Sequence, residues 1–219
     1  MAATSPASRL ITAAARSRLR PLGLRQQGRS RIWIDDHGWW LGIVEFPSPR
    51  WSQGSGLTVG AMWLWQDFDH LAFDFADRIQ PSEDFRSEEQ FAAVAGALAL
   101  EATRQVVDLR TRLSDLGKVG KCLLQRPDRP GYLWESFNAG VAAALMGQPT
   151  AARQRLQSVL GEDPLSEWIR EAQQAAQDVS AMAHDTAAVR EYVRARVASC
   201  RTKLGLAGLR SPGLDQPTG

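Results

Sequence analysis

The sequence is poor in cysteine and contains no long apolar run. Its two cysteines, Cys122 and Cys200, lie far apart and outside any CxxC spacing. Secreted chains more often use paired cysteines as staples, so this scarcity favours a reduced, cytoplasmic setting. No apolar run reaches the roughly 18 residues that a membrane-spanning helix needs. We therefore expect no membrane partner.

Acidic residues are missing from the first 34 positions, which carry seven arginines instead. An arginine-rich, acid-free segment is typical of a mitochondrial transit peptide. However, only three of the 26 basic residues in the chain are lysine, so arginine is favoured throughout. We interpret the segment first as a solvated helix face, with a transit peptide and an anion-binding surface as alternatives. The surface that would bind a polyanion comprises Arg16, Arg18, Arg20, Arg25 and Arg29.

Alternating apolar residues predict an antiparallel sheet in the first half of the chain. Residues 31–35 and 39–46 flank a short run of turn formers at 36–38, which is typical of a β-hairpin. A third strand is expected at residues 57–65 and a fourth at residues 71–75. Six of the eight tryptophans lie in this region, so the sheet should bury most of the large aromatic area.

Helical periodicity is present on both sides of the predicted strands. Residues 7–21 form the first predicted helix, with Arg18 on its apolar face. Ser87 and Gln90 form a capping box at the start of a long amphipathic helix over residues 87–116. Further helices are predicted at residues 132–146, 151–160 and 166–204.

Together these patterns predict an α+β fold, with an N-terminal antiparallel sheet and flanking helices followed by an all-helical C-terminal region. Hydrophobic residues make up 44% and charged residues 23% of the 219 positions, close to the averages of globular proteins. We expect an α+β domain at residues 1–120 and a helical region at residues 121–205. Residues 206–219, rich in Gly and Pro, are expected to be a disordered tail.

The segment Leu-Arg-Pro-Leu-Gly-Leu-Arg-Gln-Gln-Gly-Arg at residues 19–29 resembles a bacterial family, the domain of unknown function numbered 4304. That family typically opens with a helix, a glycine-containing turn, a basic polar stretch and a strand of aromatic character. Residues 56–65 and the Asp-Arg-Ile at 77–79 add to the resemblance, which covers about half of the chain. It implies a fold for the N-terminal half and brings no activity, ligand or catalytic residue.

One stretch of the C-terminal half resembles a tetratricopeptide repeat. With Gly147 in the turn between two helices, Gly140 falls at the small position of the first helix. Ala152 and Leu156 fall at the small and aromatic positions of the second helix, and Pro164 at the closing proline. A solenoid that binds peptides needs about three repeats, and only one is visible. We therefore expect one packed helical hairpin, with an interaction module as the alternative.

The densest group of metal-ligating residue types lies at residues 67–77. Its members are Asp67, Asp69, His70, Asp74 and Asp77. Carboxylates with one imidazole are able to hold a divalent cation, which would suit a hydrolase. Side chains alternate along a strand, however, and Asp67 and Asp69 also suit a turn. We assign no metal or cofactor, and expect Asp74 and Asp77 to face solvent or one of them to pair with Arg78.

Three other features are weighed against simpler interpretations. His37 beside Asp35 resembles an acid–base pair, but the pair lies at a hairpin turn. The Gly-Lys-Val-Gly-Lys-Cys at 117–122 lacks the first glycine and the hydroxyl of a phosphate loop, and we interpret it as a helix C-terminus. The tryptophan-rich strands could stack bases, but most of these side chains should be core. Trp51, in a loop between prolines and glycines, is the expected surface anchor.

We therefore expect a non-enzymatic binding or accessory protein that acts through contact with an unknown protein partner. One alternative is a nucleic-acid or polyanion binder that uses the N-terminal arginines. A second is a hydrolase of unknown type around residues 67–77. Exposed arginines that converge on one surface would favour the former, and carboxylates that converge on His70 in a cleft would favour the latter. The sequence indicates no oligomeric state.

Overall fold

The computed structural model describes residues 5–49 and 51–206, except for the side chains of residues 77–79. The chain divides into two compact units. The first, the sheet unit, comprises Met1–Met62 and Phe75–Thr111, and the second, the helical unit, comprises Trp63–Asp74 and Arg112–Gly219. Residues 63–74, which precede the boundary predicted near residue 120, thus group with the C-terminal helices.

The sheet unit contains a five-stranded sheet in which strands adjacent in the chain are adjacent in space. In order they are β1 (Arg25–Gln26), β2 (Ile32–Asp36), β3 (Trp40–Glu45), β4 (Gly54–Trp63) and β5 (Phe75–Asp84). The predicted hairpin is confirmed, because β2 and β3 pair antiparallel. Gly38 takes a φ of 85° at its turn, and its N–H donates to Asp36 Oδ1 at 2.9 Å. The predicted α+β class with an N-terminal antiparallel sheet is confirmed.

The end of the sheet differs from the prediction in two ways. The third predicted strand stops at Trp63, and Leu64–Gln66 form a 3-10 helix. The predicted strand at 71–75 is wrong, because the last strand begins where that prediction ends. β5 lies at the edge of the sheet, where a strand tolerates Pro81 and exposed charges such as Glu83. These residues hid the strand from an analysis of apolar alternation.

Two helices complete the sheet unit, α1 (Pro6–Leu19) and α2 (Glu88–Arg112). α1 buries a stripe at helical spacing, Ala7, Ile11, Ala15 and Leu19. Arg18 is exposed, so its placement on the apolar face was wrong. The capping box of α2 is confirmed, because Ser87 Oγ accepts from the N–H of Gln90 at 3.1 Å and Gln90 Oε1 accepts from the N–H of Arg86 at 3.1 Å.

The helical unit contains five helices within the described residues. They are α3 (Leu116–Leu124), α4 (Leu133–Leu145), α5 (Pro149–Leu160), α6 (Glu167–Met182) and α7 (Thr186–Lys203). Among the described residues, none of the helices has the length and apolar character needed to cross a membrane. Of the predicted tail, only Leu206 lies within the described residues, and it is buried.

Two helix boundaries correct the sequence analysis. Gly117 and Gly120 do not close α2 but lie inside α3, whose N-cap Asp115 accepts from the N–H of Lys118 at 2.8 Å. The predicted helix at 166–204 is two helices, because Asp185 caps α7 by accepting from the N–H groups of its first turn. In both cases an aspartate carboxylate satisfies free backbone donors and starts a new helix.

α4 and α5 form the predicted helical hairpin, closed by Gly147 at a φ of 69°. A Cβ added to Gly140 would lie 2.6 Å from Leu156 Cγ and 3.3 Å from the carbonyl oxygen of Ala152. Any side chain at this position would therefore require Leu156 to move. The membership of this hairpin in the tetratricopeptide family stays a prediction.

Replacing Gly140 with leucine should lower the free energy of unfolding by about 1–3 kcal/mol, because the new side chain overpacks the contact with Leu156. Leucine is the better helix former by roughly 0.8 kcal/mol, which is too little to offset the clash. Gly96→Leu is the matched control, since Gly96 is a helical glycine in α2 with open space around its Cβ position. Urea unfolding should show destabilisation at Gly140 and slight stabilisation at Gly96. Equal or higher stability of the Gly140 variant would show that this face is open.

Candidate functional site

A cleft of about 630 Å³ lies in the helical unit. Its walls come from residues 66–70, from Trp134 at the start of α4, and from one face each of α6 and α7. We call it the helical cleft. Aromatic, acidic, basic and amide side chains all reach its surface, which is the composition of a binding site rather than of a packing defect.

Helix α7 holds the wall at residues 65–68 through backbone carbonyls. Arg196 donates from Nε to the carbonyl oxygen of Trp65 at 2.7 Å and from Nη2 to that of Gln66 at 2.8 Å. Lys203 Nζ donates to the carbonyl oxygen of Asp67 at 2.9 Å, and Cys200 Sγ donates to that of Phe68 at 3.3 Å. Burial raises the pKa of the Cys200 thiol to about 11, so it keeps the proton that it donates. The two cations of the cleft are thus committed to its wall.

Trp65 anchors the same wall from the inside. It is fully buried and its indole Nε1–H donates to Asn138 Oδ1 at 2.8 Å. Its ring stacks on Trp63 with a centroid distance of 5.4 Å and an interplanar angle of 13°. An indole N–H that meets a buried amide satisfies both polar groups without water. The wall is therefore held rigidly at both its side chains and its backbone.

One side of the helical cleft is aromatic. Trp134 and Trp168 lie nearly parallel, with ring centroids 6.2 Å apart and planes inclined by 24°. Phe68 meets the edge of Trp134 at 4.8 Å and stacks on His70 at 5.0 Å. Trp168 remains 49% exposed. A face of this kind attracts apolar groups and cations.

Acidic groups line the cleft beside this aromatic side. Asp178 accepts from Tyr192 Oη at 3.2 Å and from Gln174 Nε2 at 2.9 Å. Burial raises the pKa of Tyr192, so its phenol remains a donor. Glu171 is exposed and, within the described residues, forms no ion pair or side-chain hydrogen bond. Among the described residues, Glu171 is therefore the carboxylate of the cleft that no other side chain engages.

Gln66 brings a buried amide to the cleft. The residue is 3% exposed, and its side chain is close enough to Asp74 to act on the pKa of that carboxyl as a hydrogen-bond donor. Burial raises the pKa of the Asp74 carboxyl to about 6, although two hydrogen bonds act in the opposite direction, one from the N–H of Trp63 to Oδ2 at 2.8 Å and one from the Gln66 side chain. Asp74 is only partly exposed, and the side chain of Arg78, its other expected partner, lies outside the described residues.

The other residues of the 67–77 group each have a local partner. Asp67 Oδ1 lies 2.9 Å from Lys203 Nζ, and Asp69 Oδ1 lies 2.9 Å from His70 Nδ1. The side chain of Asp77 lies outside the described residues. Among those described, no three His, Cys, Asp or Glu side chains converge as metal ligands would. Asp67, Asp69 and His70 do line the helical cleft, but as parts of separate pairs.

The predicted polyanion residues all lie in the sheet unit. Arg16, Arg18, Arg20, Arg25 and Arg29 are exposed. None of the five forms an ion pair or side-chain hydrogen bond with a described residue. Arg16 and Arg29 border a shared groove, whereas Arg18 lies outside it.

The tryptophans of the sheet region divide as expected between core and surface. Trp51 is 88% exposed, as a surface anchor must be. The other five are buried: Trp33, Trp39, Trp40, Trp63 and Trp65. These five rings therefore offer no exposed face for base stacking.

The Asp35–His37 pair exists but serves a structural contact. His37 Nε2 lies 2.9 Å from Asp35 Oδ2, and Arg110 donates to both oxygens of Asp35, at 2.7 and 2.8 Å. Burial alone would raise the pKa of Asp35, but the hydrogen bonds from His37 and Arg110 outweigh it and lower the pKa. The carboxylate that would orient a general base is thus shared with a guanidinium that joins α2 to β2.

Sequence reasoning missed the residues that make the cleft distinctive. These residues are Trp134, Trp168 and Glu171, none of which the sequence patterns singled out. The available signal was the spacing of three between Trp168 and Glu171 on a predicted helix, which places them on one face.

Searches of protein-family models, curated proteins and solved structures find no significant match to the chain.

Proposed function

We propose that the protein is a non-enzymatic binding protein that takes a basic segment of a partner protein into the helical cleft. The observation that carries this proposal is the juxtaposition of the half-exposed Trp168 with the unpaired Glu171 on one face of α6. An arginine or lysine of the partner would lie over the indole face and pair with the carboxylate. The two cations of the cleft do not compete, because Arg196 and Lys203 are bound to carbonyl oxygens of the wall.

The shape of the lining supports an extended peptide over a compact small molecule. Trp168, Glu171, Ala175 and Asp178 line the cleft along one face of α6. At 1.5 Å per residue this face spans about 15 Å, which is the length of about five residues of extended chain.

The titratable groups of the cleft support recognition rather than catalysis. Asp69 is bound to His70 and Asp67 to Lys203. The Cys200 thiol has a raised pKa and donates to a backbone carbonyl, so it is a poor nucleophile. The accessible groups are the indole face of Trp168 and the carboxylate of Glu171, which bind a ligand without reacting with it.

The test is fluorescence anisotropy with labelled peptides of about five residues, one carrying two arginines and one carrying two glutamates at the same positions. The basic peptide should bind and the acidic peptide should not. Glu171→Gln and Trp168→Ala should each weaken binding by roughly five- to tenfold. Glu167→Gln is the matched control, because Glu167 is an exposed acid one turn earlier on α6 and does not line the cleft.

Two results would contradict the proposal. One is equal binding of the acidic and basic peptides, which would remove the role of charge. The other is an equal loss on Glu167→Gln and Glu171→Gln, which would indicate a diffuse attraction rather than a site. Trp51→Ala serves as a second control, since it removes an exposed indole of the sheet unit and should leave binding unchanged.

A further inference from the structure

A groove of about 390 Å³ lies on the sheet unit, between α1 and the residues after β1. We call it the arginine groove. Arg9 and Arg16 border it from α1, and Arg29 borders it from the following turn. Ser8, Thr12 and Gln26 add two hydroxyls and an amide. No acidic side chain belongs to the described lining, so the groove presents donors and positive charge, and only Arg9 has an acidic partner among the described residues, Glu88 outside the lining.

The arginines of the groove differ in how much they are already engaged. Arg16 and Arg29 have no ion pair or side-chain hydrogen bond within the described residues. Arg9 pairs with Glu88 at 2.8 Å, but both side chains are 62% exposed, and an exposed pair of this kind is worth little. Arg31 is a contrasting case, because it donates to Ser8 Oγ and to the carbonyl oxygen of Gly54. Three guanidinium groups are therefore available to one ligand.

The groove is held in place by the core beneath it. Ile11 and Ala15 of α1 are fully buried, so the opposite face of the helix, with Arg9 and Arg16, has a fixed direction. Gly28 allows the turn that carries Arg29, with a φ of 55°. The arginines thus converge because of the fold and not because of their own mobility.

We propose that the arginine groove binds the phosphates of a nucleic-acid backbone without reading base sequence. Guanidinium forks match phosphate oxygens in pairs, and hydroxyl and amide donors complete such sites. The described lining contains no aromatic side chain, so base stacking on those residues is not a source of affinity. Arg18, Arg20 and Arg25 are also exposed but do not line the groove, so the proposal rests on Arg9, Arg16 and Arg29.

This site goes beyond the proposed function, because it lies in the other unit and selects ligands of opposite charge. Its failure would leave the helical cleft untouched. Failure of the helical cleft would likewise leave the arginine groove untouched, because the substitutions that test the two sites have no residue in common.

The test is anisotropy of labelled DNA duplexes of about 20 base pairs, in two unrelated sequences, with the full chain. Both duplexes should bind equally well, and affinity should fall by about 10- to 40-fold between roughly 50 and 200 mM salt, as expected for two or three phosphate contacts. Arg16→Glu with Arg29→Glu should weaken binding by at least about tenfold. Arg104→Glu with Arg153→Glu changes the net charge equally at exposed sites outside the groove and should weaken it far less.

Inorganic pyrophosphate and heparin complete the experiment. Displacement of the duplex by pyrophosphate, lost in the Arg16/Arg29 variant, would support a phosphate site. Equal weakening by the two double variants would overturn the proposal, because net charge alone would then account for binding. Binding of heparin without binding of the duplex would also overturn it, in favour of a sulfated polysaccharide. Circular dichroism of each variant checks that folding is retained.

Discussion

Replacing Arg110 with methionine should lower the free energy of unfolding by about 3–5 kcal/mol, because it removes the guanidinium that donates to both oxygens of the buried Asp35 carboxylate. Arg110 donates twice to Asp35 and also, through Nη2, to the carbonyl oxygen of Leu22 at 2.7 Å. Methionine keeps the aliphatic stem, so the loss reports the guanidinium. Urea unfolding at neutral pH measures it.

The matched control is Arg104→Met, on the same helix. Arg104 pairs with Glu101 at 3.1 Å, but its side chain is largely exposed, so its replacement should cost no more than about 0.5 kcal/mol. Asp35→Asn in the Arg110→Met background should recover part of the loss, because the uncompensated charge is then removed. A loss at Arg110 as small as that at Arg104 would contradict the buried ion pair.

The effect of Arg110→Met should also depend on pH in a known direction. The pKa of Asp35 is lowered in the folded protein, so the ionised form is stabilised by folding. That stability is present above the pKa of an unfolded aspartate, about 3.9, and is lost as the pH falls through the folded pKa. The difference between the wild type and the variant should therefore shrink in acid. A difference that stays constant down to the acid transition would assign the loss to packing.

Replacing Trp63 with alanine should lower the free energy of unfolding by about 3–5 kcal/mol, as the removal of a fully buried large side chain does. Trp63 has no exposed surface, and its ring stacks on Trp65. The variant loses both the buried area and this ring contact, and leaves a cavity that the rigid surroundings cannot close. Thermal and urea unfolding both measure the change.

The same substitution at Trp51 is the control, since that indole is 88% exposed. Trp51→Ala should change the free energy of unfolding by no more than about 0.5 kcal/mol. Comparable losses at the two positions would show that burial does not distinguish them, and would remove the basis for Trp51 as a surface anchor. Fluorescence quenching should also distinguish the two variants, because the indole of Trp51 is open to a soluble quencher and that of Trp63 is not.

The elements that sequence predicted correctly depend on neighbours a few residues away. The hairpin between β2 and β3 follows from turn formers between two apolar runs. The start of α2 follows from Ser87 and Gln90, whose side chains bond to backbone groups of the same turn. The apolar stripe of α1 follows from helical spacing, apart from Arg18. In each case the residues that determine the element lie within a few positions of one another, so a short stretch of sequence is enough to predict it.

The elements that the sequence did not predict are those whose local pattern is compatible with both a strand and a loop. Alternation of Leu71, Phe73 and Phe75 suits a strand, but the chain takes that form only from Phe75 onward. β5 reads as a polar loop because an edge strand carries Pro81 and exposed charges. Whether such a segment forms a strand depends on the neighbouring strand β4, which lies more than ten residues earlier in the chain. A pattern of a few consecutive residues does not include that neighbour.

The two candidate sites show the same division. The sequence by itself determined that the arginines of residues 9–31 are unaccompanied by acids, and therefore that a polyanion surface was worth testing. Only the tertiary structure decided which of them share a groove, because Arg9 and Arg16 meet Arg29 across a turn. The helical cleft could not be predicted at all. Its aromatic and acidic walls join Phe68 to Trp134, Trp168 and Glu171, residues that meet only when distant segments pack, and packing depends on the whole core rather than on any one stretch of it.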